Sequence, residues 1–326
     1  MDGYSPIEQR LLNDFQQDFP LLSRPFLTIG DQLGITETAV IQHLQQLVAR
    51  GAVSRVGPVF SPGRIGASAL VALAVPPERL ETVAGWISAM QAVNHNYQRE
   101  HHYNLWFVAA TPDQTALDRL LRDIAHESGM PMLVLRLLEQ FHIDLGFDLI
   151  HRHKMTSNAA PLPQRIELDA TQSAIVAALQ SGIALEPEPY AGVGRASNQE
   201  EDAVIRQIRT WRSSGLIKRF GIVVRHHELG YRENAMVVWN VPDDEAAVYG
   251  RLAAAQAGVT LCYRRNRQLP DWPFNLFCMV HGKDRSEVRS QIARLAYLTG
   301  LDRFASQTLF SCKRYKQCGA RYVANG

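Results

Sequence analysis

The chain is written twice. The stretch Ser54–Gly66, SRVGPVFSPGRIG, resembles Lys218–Gly230, KRFGIVVRHHELG. Arg55, Gly57 and Gly66 recur as Arg219, Gly221 and Gly230, each 164 positions further on (55 to 219). A segment ending in Val-Pro follows in both copies, LVALAVP and MVVWNVP. HNYQR and CYRRNR come next, and after them YNLWFVA and FNLFCMV. Two copies are too few to stack as a solenoid. A duplicated pair is the equivalent of a dimer joined in one chain, so two like units facing each other are expected.

Each copy carries the same order of elements. In the first, spacing predicts helices from Pro6 to about Gln17 and from Pro25 to Leu33, stopped by Gly34. Thr36 then caps a third helix whose Ala39, Val40, Leu44, Leu47 and Val48 share one face, and Gly51 ends it. VSRVGPVF alternates as a wing strand. After Gly66 the pattern is strand (67–75), helix (77–90), strand (93–99), strand (104–110), helix (113–128) and strand (132–142). The second copy repeats it, with helices at 171–180 and 198–212, a wing to Arg225 and βαββαβ from Arg232 to about Lys313. In SGIALEPEPYAGVGR, Pro187 and Pro189 favour a loop where the first copy has a helix. The expected fold class is therefore α+β, a tandem duplication of a winged helix-turn-helix and a ferredoxin-like βαββαβ sandwich. Residues 1–62 and 63–150 would form the first pair of domains. The polar, Pro-bearing 151–168 would be a linker, and 169–226 and 227–326 the second pair.

This architecture resembles the Lrp/AsnC family of transcriptional regulators. The resemblance implies a helix pair that reads DNA and a sandwich that binds a small ligand and dimerises. The residues expected to face DNA are poorly suited to it. The third helix exposes Glu37, Gln42, His43, Gln45 and Gln46, and no cation precedes Arg50. Its counterpart opens on Glu200, Glu201 and Asp202, which would repel phosphate, with Arg206 and Arg209 further along. Net charge is only +2. No specific DNA partner is expected, and the helix pair reads as scaffold.

No apolar run is long enough for a membrane span, and no secretion signal is present, so a cytoplasmic location is expected. The four cysteines (Cys262, Cys278, Cys312, Cys318) match no metal-knuckle spacing and are expected to be free, buried thiols.

Chemistry-bearing residues gather in HNYQREHHYNLWF, His95–Phe107, which holds three of the chain's eleven histidines. On a strand, alternate residues share a face, so His95, Tyr97 and Arg99 point together. The matching face of the second copy carries Leu261, Tyr263 and Arg265, with Arg264 and Arg267 adding charge. His101 and His102 lie in the turn before Asn104 and Trp106. These types suit a flat, anionic ligand. Arginine holds carboxylates with two parallel hydrogen bonds, aromatic rings stack on planes, and imidazole passes protons or ligates iron near neutral pH. Arg225–His227, RHH, is a second cationic cluster, as readily a polar loop as a carboxylate site. His126, His142, His151, His153 and His281 read as ordinary surface or linker residues.

FPLLSRPF, RVGPVF, HNYQREHHYNLWF, KRFGIVVRHHELGYRENAMVVWNVPDD and CYRRNRQLPDWPFNLFCMVHGKDR closely resemble the siroheme decarboxylases. These are Lrp/AsnC-like proteins of d1 haem biosynthesis and of the alternative haem pathway. The resemblance covers nearly the whole chain. The first copy looks like the D-type subunit and the second like the L-type. It implies removal of two acetate carboxyl groups from siroheme, giving didecarboxysiroheme, with no cofactor or metal beyond the substrate's own iron. By the same resemblance His95, Tyr97, Arg99 and His101 carry over as catalytic residues. Tyr263, Arg264 and Arg265 carry over as substrate-binding residues, and His95 is a candidate axial ligand to the siroheme iron. Arg267, Trp106, Asn104, Arg55, Arg219, Arg225 and His226 are further candidates for holding substrate. Leu261 stands where some relatives are expected to have histidine, so one main active site, centred on the His95 strand, is expected. Siroheme is the expected partner, with a homo-oligomer or a related decarboxylase pair as further associations. The alternative is a tetrapyrrole-responsive regulator of Lrp/AsnC type.

Overall fold

The computed structural model describes residues 3–61, 63–143, 160–161, 165–225 and 233–323. Ser5 opens the first helix with a capping box, accepting from the Glu8 N–H while the Glu8 carboxylate accepts from its own. Helix α1 (Pro6–Asp14) leads to α2 (Pro25–Leu33), which Gly34 stops in the left-handed conformation. Thr36 caps α3 (Glu37–Ala49) through the Ala39 N–H. Strands β1 (Val53–Phe60) and β2 (Ala67–Leu73), helix α4 (Leu80–Ala89), strands β3 (Val93–Arg99) and β4 (Leu105–Thr111), helix α5 (Gln114–Ser128) and strand β5 (Met132–Ile143) complete the first copy. The expected linker falls largely outside the described residues, but its Ala160–Pro161 (β6) pairs with β5.

The second copy follows with helices α6 (Ala170–Leu179), α7 (Pro189–Ser197) and α8 (Glu201–Ser213), then strands β7 (Ile217–Val224) and β8 (Glu233–Trp239). Helix α9 (Ala246–Ala254), strands β9 (Val259–Arg265) and β10 (Leu276–Gly282), helix α10 (Arg285–Thr299) and strand β11 (Ser306–Gln317) close it. Helix α7 corrects the loop expected from Pro187 and Pro189. Pro189 occupies the first helical turn, where the missing N–H costs nothing, as Pro25 does in α2. Glu37 is likewise not exposed as expected; it is buried and paired with Arg24.

The two winged units merge. Strands β1 and β7 pair antiparallel, with Gly57 opposite Gly221, and all six helices before the wings feed one apolar core. Each wing also grips the other copy's first helix. The Ile222 N–H donates to the Phe15 carbonyl (2.8 Å), and the Ile183 N–H to that of Val56 (2.7 Å). This crossing needs glycine. A Cβ at 221 would sit 2.5 Å from the Phe15 carbonyl oxygen, and backbone cannot yield as a side chain can. Gly221→Ala is therefore expected to destabilise the fold by about 3 kcal/mol, read as a lower denaturant midpoint.

The sandwiches close into one barrel. Strand β5 pairs with β2 over Met132–Arg136 and with β9 over Leu137–Ile143. Strand β11 pairs with β8 over Ser306–Phe310 and with β3 over Ser311–Gln317. The order β2-β4-β3-β11-β8-β10-β9-β5 thus returns to β2, an eight-stranded ring in which each copy's last strand crosses into the other. Helices α4 and α5 cover the outside of one half and α9 and α10 that of the other, each over its own apolar core. Phe141 of β5 enters the second copy's core beneath Gly250 of α9. The barrel leaves one face of every strand turned inward, away from the helices.

Candidate active site

Inside the barrel, and roofed by the paired wings, lies a cavity of about 440 Å³, within the usual range for small-molecule sites. Its walls carry five arginines (Arg55, Arg99, Arg219, Arg225, Arg265) and two histidines (His95, His281), and no aspartate or glutamate among the described residues. His95, Tyr97 and Arg99 all face it, and so do Leu261, Tyr263 and Arg265, because strand parity holds through β3 and β9. Trp106 and Phe277, at matching positions on β4 and β10, line it as well.

The two copies anchor one arginine each in the same way. Arg99 donates to the Leu309 carbonyl (3.1 Å) and Arg265 to that of Leu135 (2.8 Å). Each guanidinium lies over the tyrosine two residues before it, at 5.7 Å for Tyr97 and 5.3 Å for Tyr263. Beyond its carbonyl, Arg99 also reaches the Met279 sulfur (3.8 Å), and the Arg265 Nε is buried without a partner among the described residues. Burial pulls both guanidinium pKa values down to about 10. Two buried cations with no counter-ion among the described residues are costly, and a carboxylate would satisfy them.

The histidines break the symmetry. His95 on β3 corresponds to Leu261, and His281 on β10 to Ala110, so each copy contributes one imidazole from a different strand. His95 Nδ1 contacts the Asn94 amide oxygen (2.8 Å), and His281 Nδ1 contacts the Thr260 hydroxyl (3.1 Å). Each sits beside an arginine. Burial, reinforced by Arg55, lowers the His95 pKa to about 4; burial, reinforced by Arg99, does the same for His281. Both rings are neutral at pH 7. The unfolded chain binds these protons near 6.5, the folded one only near 4. The free protein is therefore expected to keep full stability above pH 6.5 and lose it as pH falls toward 4. Denaturant midpoints across that window check this, and the loss should shrink in His281→Gln.

Tyr97 and Tyr263 are both held protonated, chiefly by burial. Arg55 donates to the Pro58 carbonyl (3.0 Å) and Arg219 to that of Ile222 (3.2 Å), the same bond in both wings. Arg219 also donates to the Gln16 carbonyl (2.8 Å), and Arg225 reaches the Gly51 carbonyl (3.4 Å).

Several expected site residues lie elsewhere. Arg264 points to the opposite face of β9 and pairs with Asp243 (3.0 Å). Arg267, in the turn beyond, pairs with the same carboxylate and donates to the Pro273 carbonyl (2.8 Å). Asn104 clamps Val75, accepting from its N–H (3.0 Å) and donating to its carbonyl (2.8 Å), as Asn275 does with Val241. His101 accepts from the Tyr103 N–H (3.0 Å) and packs edge-on against Trp272, away from the cavity. His226 falls outside the described residues. His281 and His142, read from sequence as surface residues, are a cavity wall and a buried strand residue respectively. The signal for His281 was available: Phe277, Met279 and His281 alternate on one face of β10. Tyr322, after the last strand, also lines the cavity and carried no local signal.

The winged units show what α8 does. Its Arg209 donates to the Leu21 carbonyl (2.7 Å), Arg212 pairs with Asp18 (3.3 Å), and Glu201 accepts from Ser23 (2.9 Å). The helix that a regulator would lay into a groove is committed to the first copy's 18–23 segment. Among the described residues no cluster of three or more metal-ligating side chains occurs, and no helix is long and apolar enough to cross a membrane. None of the four cysteines is in a disulfide; Cys262 and Cys278 are buried as expected, whereas Cys312 and Cys318 are exposed.

Comparison with known proteins agrees with this architecture. The profile of the AsnC-like ligand binding domain matches residues 64–142 and 228–316. That of the siroheme decarboxylase NirDL-like HTH domain matches 8–53 and 172–218. The siroheme decarboxylase NirDL subunit of Paracoccus denitrificans is 40% identical over 320 residues, 96% of each chain. A crystal structure of siroheme decarboxylase NirDL in co-complex with an iron-uroporphyrin III analogue superposes with a TM-score of 0.69 at 26% identity, covering 98% of this chain and 94% of that one. The separate NirD and NirL subunits of Stutzerimonas stutzeri are 48% and 43% identical over 143 and 145 residues, 44% of this chain each, and 94% and 85% of their own lengths.

Proposed function

The chain belongs to the siroheme decarboxylases of the NirDL kind, and on that premise we propose that the barrel cavity binds siroheme between the two copies and protonates it from both sides. The enzyme is a carboxy-lyase that removes two acetate carboxyl groups from siroheme to give didecarboxysiroheme in d1 haem biosynthesis. The observation that carries the site assignment is the wall of five arginines with no acidic residue among the described ones. Siroheme bears eight carboxylates, and a cavity so lacking in anions gains most from a polyanion.

Each loss of carbon dioxide breaks one C–C bond and forms one C–H bond. The electron pair left on the ring substituent is stabilised by the conjugated macrocycle and ends by taking a proton. Each turnover thus consumes two protons and yields two methyl groups. This reading assigns their delivery to His95, whose charge Arg55 opposes, and to His281, whose charge Arg99 opposes. Burial first, and the neighbouring arginine second, keep both rings neutral. A substrate carboxylate that pairs with the arginine cancels the repulsion and adds its own attraction, so the imidazole takes up a proton as substrate arrives. Binding itself arms the acid. Arg99 and Arg265 hold carboxylates, and Tyr97 and Tyr263, neutral and beneath them, offer O–H donors and flat faces to the ring. The substrate's iron is the only metal this reading requires, and the protein residues supply positioning and protons.

Mixing the purified protein with siroheme in the absence of oxygen tests the reading. The product should have lost the mass of two carboxyl groups as carbon dioxide. Spectral binding with unchanged mass would overturn it.

A further inference from the structure

Resting on the siroheme reading, we propose that Tyr322, delivered by the segment that follows the last strand, is a substrate-binding residue whose hydroxyl donates a hydrogen bond to a siroheme carboxylate beside Arg55. Residues 318–323 leave β11 and run along the wing-side wall of the cavity. The segment is strapped down at several points. The Cys318 N–H donates to the Asn94 carbonyl (2.8 Å), next to His95. The Gln180 side chain, only 2% exposed, accepts from the N–H groups of Tyr322 (3.1 Å) and Val323 (3.4 Å) and donates to the Val323 carbonyl (3.0 Å). Gly319 passes so close that a Cβ there would lie 3.0 Å from the Arg55 guanidinium carbon.

The phenol ring is equally constrained. It packs edge-on against Phe60 of the first wing, centroids 6.1 Å apart at 86°. It also covers Gly66, where a Cβ would come within 2.9 Å of the ring. A ring held on both sides aims its hydroxyl in one direction, and Tyr322 lines the cavity. That hydroxyl has no hydrogen-bond partner among the described residues, although the residue is 9% exposed. A hydroxyl left open on a cavity wall while its ring is fixed is free to donate to a ligand there. Burial raises its pKa to about 12, so it remains an O–H donor throughout the working range. Arg55 of the first copy and Tyr263 of the second line the same cavity as Tyr322. The same segment therefore completes the Arg55–His95 corner.

Tyr322→Phe keeps the ring and removes only the donor. In a preparation whose wild type converts siroheme, the variant should bind siroheme about tenfold more weakly, the loss expected for one hydrogen bond to a charged group. Its KM should rise more than its kcat falls, and its thermal midpoint should stay within a few degrees of wild type. Unchanged siroheme affinity and KM in the variant would overturn the proposal while leaving the decarboxylase reading intact. A wild type that fails to convert siroheme would overturn that reading instead. Tyr322→Trp, which fills the site and aims no hydroxyl at the carboxylate, should show the same affinity loss; wild-type affinity there would also overturn the proposal.

Discussion

His95→Gln is expected to slow siroheme decarboxylation by about 10²-fold to 10⁴-fold, the usual worth of a general acid placed on its substrate. Glutamine keeps the approximate volume and a hydrogen bond to Asn94 but cannot carry the proton. The paired arrangement sharpens the expectation. His95 stands by Arg55 and His281 by Arg99, on different strands of different copies. If each pair serves one acetate, either single variant accumulates a product that has lost one carboxyl group, and the double variant leaves siroheme untouched. Mass spectrometry of quenched reactions distinguishes the cases. A His281→Gln enzyme that removes both groups at the wild-type rate would leave His95 as the sole acid and restore the single-centre arrangement expected from sequence.

Arg99→Met is expected to cut kcat/KM for siroheme by about 10²-fold or more, because a buried charge contact to the substrate is worth several kcal/mol. The same substitution should leave stability unchanged or raise it. Arg99 is 7% exposed, and its side chain meets a carbonyl, a thioether and the Tyr97 ring, with no carboxylate pairing with it among the described residues. Replacing a buried ion of that kind with an apolar side chain of similar length removes a desolvation cost. Opposite signs for activity and stability are the mark of a charge kept for its ligand. A fall in thermal midpoint alongside the fall in activity would show instead that Arg99 holds the β3–β11 seam.

The duplication made most of the architecture legible. Glycines, caps and apolar spacing located the helices, and strand parity placed His95, Tyr97 and Arg99 on one inward face. Parity applied only to the motif strands, however, missed His281, which stands at the end of β10 and was read as an isolated histidine. Parity also explains why Arg264 turns away from the site while Arg265 turns in. Asn104 and Arg267 carry the right chemistry but spend it on Val75 and on the Asp243 turn. These local uses are not visible without coordinates. Pro189 misled in the opposite direction, since proline at a helix start and proline in a loop look alike in one dimension. The barrel closure was hidden for a topological reason: β5 and β11 each change partner midway, which no local pattern records.

That exchange of strands has a stoichiometric consequence. A ring built from two first copies would hold two imidazoles of the His95 kind and none of the His281 kind; one built from two second copies would hold the reverse. Tethering unlike halves makes their meeting unimolecular, so the mixed ring forms at any dilution and like-with-like assemblies are outcompeted. Once neither copy must also pair with itself, each can lose the histidine its sister retains.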